Sequence, residues 1–420
     1  MKQAIFLLAI VCLLPFSLTA ADWNKWRGPN DDHTGNDRSE SLDALQNGHD
    51  ILWRAEVGYG HSCIAVRDGR GYTMGENRVV QNEDTAYTES VLCLDLKTGR
   101  ELWRHAYPAI RRRYPGPGAT PWITDTRLYT QTHEGTVLCL KISDGTVLWK
   151  KDLVAAGLTE PTPWGCCSSP ILDGDILLVN AGVQGVALNP NTGEILWSGG
   201  KERSGHGSPV VFTWNQQRVA AMTGENAFHV VDVKTGGVKV THAWDADSDP
   251  VILDDHIFLM GSHAKGKGCG LFKIDGTSLV PVWENRLTAH AFQPPIIIDG
   301  HAYVFTFQNV NRQPLQCIDL KTGIRKWSHE LGIWGAMTAS GENILFLTGT
   351  GELVIVQANP NAFTKIARAN IFDLKEFRSY PDGEPHCCWT VPVLVDGMLL
   401  VRTTYGHTAC IDLTPSSPAD

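Results

Sequence analysis

Charge is scarce in this chain of 420 residues: Asp, Glu, Lys and Arg together supply only 19% of it. The balance is acidic, 45 against 36, and a formal −9 argues against broad binding to a phosphate backbone. After the run Ala4–Leu14 no apolar stretch is long enough to span a bilayer. Ready-made chemistry is missing too. No CxxC or HExxH spacing, Gly-rich phosphate loop, nucleophile elbow or Ser/His/Asp order stands out. What abounds instead is 41 Gly, 22 Pro and 14 Trp, which indicates short strands and frequent reversals and not a helical bundle or coiled coil.

The first residues read as an export signal. Lys2 precedes the apolar run, then come Pro15 and the small residues Thr19, Ala20 and Ala21, with cleavage expected after Ala20 or Ala21. Cys12 follows Val11 and is not read as a lipoprotein cysteine. The expected mature protein is therefore periplasmic or secreted. Its ten remaining cysteines sit in a disulfide-permitting compartment, but they are too sparse to replace a buried core.

One phrase recurs along the chain: an alternating apolar strand, a turn ending in Thr-Gly or its equivalent, and Trp four residues after the Gly. It reads VLCLDLKTGRELW to Trp103, VLCLKISDGTVLW to Trp149, GVALNPNTGEILW to Trp197 and LQCIDLKTGIRKW to Trp327. FHVVDVKTGGVKV places Val240 where Trp would stand, LFKIDGTSLVPVW ends at Trp283, and a degenerate copy ends near Ile366. Period-two alternation, a Gly reversal and a return strand make each unit a hairpin. A second hairpin lies upstream, as in SPILDGDILLV, so each unit holds four strands, one propeller blade.

Successive marks from Trp53 to Trp327 are spaced by 43 to 50 residues. ILWRAEV around Trp53 lacks a first half, and ACIDL at Ala409–Leu413 lacks a second. Pairing the two closes a ring. The expected fold is all-β: one eight-bladed β-propeller over residues 51–413, with seven blades as the alternative if the copy at Leu353–Ile366 is an insertion. Residues 22–50 are expected to form an extended arm wrapping the outside, and 414–420 a flexible tail.

The repeated LDxxTGxxxW hairpin resembles the quinoprotein-type (PQQ-binding-like) propeller repeat. WRGP, WGCCSSP, GHGSPVV, GKGCGLFKI and GELVIVQANP resemble its exported subset. The resemblance covers essentially the whole mature chain. It implies either a non-catalytic scaffold of the BamB-like kind, meeting a protein partner or small ligand, or a dehydrogenase using pyrroloquinoline quinone and Ca²⁺ on an alcohol or sugar. The dehydrogenase's acid, amide and indole floor have no clear counterparts here. The expectation is therefore a binding module, monomeric, without nucleic acid or a membrane span.

Site candidates come from the blade entries, where the innermost strands begin. Aligned on the entry Pro or its equivalent, the residue three places earlier is His61, Gly118, Cys167, His206, Asp247, Phe292 or Trp389. Cys166, Asp245, His290, His386, Cys387 and Cys388 stand beside this set. Such residues at one end of a channel suit a cofactor, ligand or metal; the plainer alternative is that they hydrogen-bond loop backbones. The vicinal pairs Cys166–Cys167 and Cys387–Cys388 admit a strained ring, a bond between the pairs, or buried thiols. Some quinoprotein dehydrogenases carry a vicinal disulfide beside the cofactor, but WGCCSSP and PHCCWTVP do not clearly match that motif. Cys93, Cys139, Cys317 and Cys410 share one repeat position and are read as small core fillers. Arg111, Arg112 and Arg113 in IRRRYPGPG form an anion-binding candidate, or a solvated loop.

Overall fold

The computed structural model describes residues 22–35, 45, 50–81, 84–110, 116–160, 164–224, 226–246, 248–261, 268–286, 293–306, 314–331, 335–373 and 388–414. Eight small antiparallel sheets form an eight-bladed β-propeller. Blade 1 comprises strands Ala65–Arg67, Arg70–Gln81, Asp84–Asp95 and Glu101–Ala109, in that order from axis to rim. The weak copy is a full blade as well, Gly335–Ser340, Asn343–Thr348, Glu352–Gln357 and Thr364–Asn370. The seven-bladed alternative is thereby excluded.

Closure follows from the split eighth unit. Strand Asp50–Glu56 pairs antiparallel with His407–Asp412, setting Trp53 opposite Cys410, and completes the sheet of Val393–Val395 and Met398–Arg402. One blade thus takes its outer strand from the start of the propeller and its other three from the end.

The repeated Trp and Gly belong to one contact between blades. The indole Nε1 of Trp53 donates to Leu96 O at 2.7 Å, Trp103 to Ile142 O at 3.0 Å, Trp149 to Pro190 O at 2.9 Å and Trp197 to Val233 O at 2.9 Å. Trp283 donates likewise to Leu320 O, and Trp327 to Asn359 O, both at 2.8 Å. Each acceptor lies in the following blade. Beneath the first four and Trp283 lies the turn Gly of that next blade: a Cβ on Gly99, Gly145, Gly193, Gly236 or Gly323 would stand 2.4 to 2.6 Å from the ring. Positive φ and close approach both select Gly there. Within each blade a bulge precedes the docking residue, and Cys93, Cys139, Cys317 and Cys410 stand opposite Trp103, Trp149, Trp327 and Trp53, fully buried. These four cysteines fill core space beside a large ring.

The contact between blades 4 and 5 lacks this staple. Val240 occupies the Trp position, and Gly276 in the facing turn has no atom within 4 Å of a built Cβ. Trp244 fills the gap, edge-on to Phe272 at 5.1 Å, while His242 lies 4.8 Å from the same ring.

Gly193 and Gly276 both hold positive φ, 74° and 57°, so replacing either by Ala incurs a similar backbone penalty. Gly193→Ala also drives its Cβ into Trp149. It is expected to be less stable than Gly276→Ala by about 1–3 kcal/mol, read from urea midpoints. Equal midpoints would remove the Trp–Gly stack from the account.

Candidate functional site

The innermost strands converge on the axis, and the residue before each entry Pro, or its equivalent, builds a belt around it. Val391 N–H donates to Cys63 Sγ at 3.2 Å, Cys63 N–H to Thr120 Oγ1 at 3.0 Å and Thr120 N–H to Ser169 Oγ at 2.9 Å. Ser169 N–H then donates to Ser208 Oγ at 3.0 Å, and Ser208 N–H to Asp249 Oδ1 at 2.6 Å. Five links thus join blades 8, 1, 2, 3, 4 and 5 in sequence. Gln293 continues the pattern, exchanging two bonds with the Met337 backbone at 2.6 and 3.1 Å. Pro cannot donate, so the preceding residue does the linking.

A cavity of about 110 Å³ lies within this belt. Its lining includes His61, Gly118, Cys167, His206 and Trp389, five of the residues the entry alignment singles out. His133, Trp164, Ser169, Gly207, Ser208, Asp249 and Trp26 complete it. Cys166 and Cys388 do not line it. Cys166 Sγ lies beside Gly135, and Cys388 is buried in the core shared by blades 7 and 8. Cys167 is a free thiol, so no vicinal bond joins it to Cys166, and burial pushes its pKa up to about 12. Asp245 is buried and does not line the cavity. Asp247, His290, His386, Cys387 and Arg111, Arg112 and Arg113 lie outside the described residues.

The described part of the arm does not wrap the outside. Residues 22–35 cross the ends of the inner strands and put Trp26 on the cavity wall. Trp23, 1% exposed, exchanges main-chain bonds with Val66, and Ile123 N–H donates to Asn24 O. Trp26 Nε1 donates to Asp249 Oδ2 at 2.9 Å, and Arg27 Nε lies 3.6 Å from the same oxygen. Thr34–Gly35 then adds to blade 7 as a parallel fifth strand beside Ala339 and Ser340. Burial raises the Asp249 pKa, opposed by Arg27 and by the bonds from Ser208 and Trp26.

The cavity wall carries a neutral base. Burial, reinforced by Arg402 and His133, pushes the His61 pKa down to about 3. Arg402 is itself 1% exposed. It donates to Gly58 O, Ser62 O and Thr73 Oγ1, with no carboxylate paired to it among the described residues. Behind His133 lies an acidic pair absent from the sequence reading. Glu76 and Glu89 stand directly opposite on blade 1, both buried. Glu76 holds Arg78 Nε and Gly116 N–H, each at 3.0 Å. Glu89 accepts from Tyr107 OH at 3.0 Å and from His133 N–H at 3.4 Å. Burial, with Glu76 and Glu134 nearby, raises Glu89 to about 7. These residues escaped notice because their meeting is across strands and blades, where no linear motif runs.

A quinone with Ca²⁺ does not fit these residues. No group of three His, Cys, Asp or Glu among the described residues is placed to hold a cation. Among the described residues, the one carboxylate on the cavity wall is engaged by Trp26, Arg27 and Ser208, and no Lys or Arg lines the cavity to receive a polycarboxylate. The volume also falls below the roughly 300 Å³ at which sites for larger organic ligands begin.

Ser208→Ala would leave the buried Ser169 N–H without its acceptor, an expected loss of about 1–3 kcal/mol that Ser208→Thr should largely avoid, measured by urea unfolding. Glu89 has a folded pKa above its ordinary 4.5, so its stabilisation is fully present below that value and lost as pH rises through about 7. Glu89→Gln should therefore flatten the decline in unfolding free energy between pH 5 and pH 7.5. An unchanged slope would place the titration elsewhere.

The family model described as "Outer membrane protein assembly factor BamB" matches residues 87–328. Among solved structures, BamB from Moraxella catarrhalis is 14% identical with a TM-score of 0.59, covering 87% of this chain and 100% of that one. A quinohemoprotein alcohol dehydrogenase from Comamonas testosteroni is 11% identical with a TM-score of 0.64, over 95% and 82% of the two chains. A europium-containing methanol dehydrogenase is 11% identical with a TM-score of 0.63, over 91% and 89%. No curated protein sequence matches this one. At such identities the structural likeness carries the fold alone, while the family match spans more than half of the sequence. The chain belongs to the BamB family of PQQ-like β-propellers.

Proposed function

We propose that the protein is an exported, non-catalytic binding module that receives a protein partner on its propeller faces or a small ligand at the axial funnel. One observation carries this reading: the axial carboxylate, Asp249, is engaged by the chain's own Trp26 and Arg27. In an enzyme of the quinone type an acidic group at the axis would be available to substrate or cation. Here it anchors the arm that puts Trp26 on the cavity wall. The family match and the structural likeness to BamB support the same reading. So does His61, which lacks the near-neutral pKa that suits a general base.

The test is addition of pyrroloquinoline quinone and Ca²⁺ to purified protein, with binding followed by Trp fluorescence and turnover by dye reduction on an alcohol and aldose panel. The expected result is neither saturable binding nor dye reduction above the blank. Saturable quinone uptake with turnover would establish a dehydrogenase instead.

A further inference from the structure

The seat of the arm has two kinds of contact. The first is main-chain pairing at the two ends of the segment, with turns between them. Val66 and Trp23 bond reciprocally at 2.8 and 3.0 Å, Ile123 N–H donates to Asn24 O at 2.8 Å, and Ala339 N–H donates to His33 O at 3.1 Å. Thr338 Oγ1 adds a bond to His33 O at 2.8 Å. The second is side-chain recognition centred on Asp249, where an indole N–H and a guanidinium meet a buried carboxylate. A buried carboxylate calls for a cationic neighbour, and an indole fills the adjoining cavity. Together these contacts read an aromatic residue followed by a basic one in a turn held between two paired ends.

The present occupant fills the seat imperfectly. His33 is 0% exposed, yet neither ring nitrogen has a hydrogen-bond partner among the described residues. Trp23 Nε1 and Arg27 Nε are buried without one as well. Asp31 and His33 are also non-glycine residues at positive φ, 59° and 63°. Three orphaned polar atoms, an Arg27 Nε held by an ion pair alone, and two left-handed residues in so short a segment mark weak docking beside the satisfied belt that it covers.

We propose that this seat is a binding site for a peptide that pairs at its two ends and turns between them, carrying in that turn an aromatic residue followed by a basic one, and that residues 22–35 occupy it reversibly as an internal competitor. The proposal deepens the binding-module reading and rests on it. Its mode is strand addition, with blade 7's innermost strand as the receiving edge and Asp249 as the specificity pocket. Because Trp26 also lines the axial cavity, exchange of occupant would open that cavity at the same time.

The test uses the full chain and a fluorescein-labelled peptide, DWNKWRGPNDDHTG, the sequence of residues 22–35. Trp26→Ala/Arg27→Ala weakens the internal competitor, whereas His33→Leu removes its orphaned nitrogens. Fluorescence anisotropy should show the double variant binding the peptide at least about tenfold more tightly than the parent, and His33→Leu binding it more weakly. A peptide with both Trp and the Arg replaced by Ala should bind the double variant at least about tenfold less well. In the unaltered parent, the amides of Ile123 and Ala339 should exchange with solvent much faster than those of the strand Asn343–Thr348. Equal protection of those amides would overturn reversibility, whether or not the variants fold. Equal binding of the two peptides would overturn side-chain recognition. Quinone turnover would defeat the module reading while leaving both of these readouts standing.

Discussion

The stack of an indole on the glycine of the next blade's turn is the contact on which the ring depends. A blade of four short strands buries little by itself, and its outer strand ends in an unpaired edge. Docking the Trp of one blade over the turn of the next joins two sheets that share no ladder hydrogen bonds. The glycine serves the turn through its positive φ and serves the neighbour through its missing side chain. One residue therefore answers a local and a long-range requirement, and the spacing between Gly and Trp in the sequence is the trace of both. At one seam that lacks the pair, between blades 4 and 5, Trp244 and Phe272 provide a different apolar bridge.

Two further layers act nearer the axis. The belt of hydroxyl, thiol, carboxylate and amide acceptors holds consecutive inner strands by their backbone N–H groups, where the strands are closest and water is scarce. The arm then crosses those strands and contacts blades 1, 2, 5 and 7. Belt and arm meet at Asp249, which accepts from Ser208 on one side and from Trp26 on the other. The cavity is consequently a product of both, with walls from the blade entries and from a segment outside the repeats.

Much of this architecture was legible in the sequence because it repeats. The marks from Trp53 to Trp327, Val240 included, fall at equivalent places in their blades, and the split eighth unit pairs as its two halves imply. The entry alignment likewise brings His61, Cys167, His206 and Trp389 to one cavity. What periodicity could not show was anything that occurs once. Two tryptophans in the polar stretch WNKWRGPN were a signal for burial, yet nothing local tells which surface receives them. Glu76 and Glu89 are read only once strand register is known, and Arg402 only once blades 8 and 1 are joined. Cys166 and Cys388 shared their neighbours' positions in the string but not their direction in space.

The split eighth blade ties assembly to the order in which the chain becomes available. The strand Asp50–Glu56 is made early, but the three strands that complete its sheet span Val393–Asp412, more than three hundred residues later. Until those arrive it offers an open edge, so the finished toroid is a non-local structure whose slowest step is the meeting of distant segments. A nascent chain must therefore be shielded along its whole length, and a product cut short near its end loses one sector and the seam that locks the other seven.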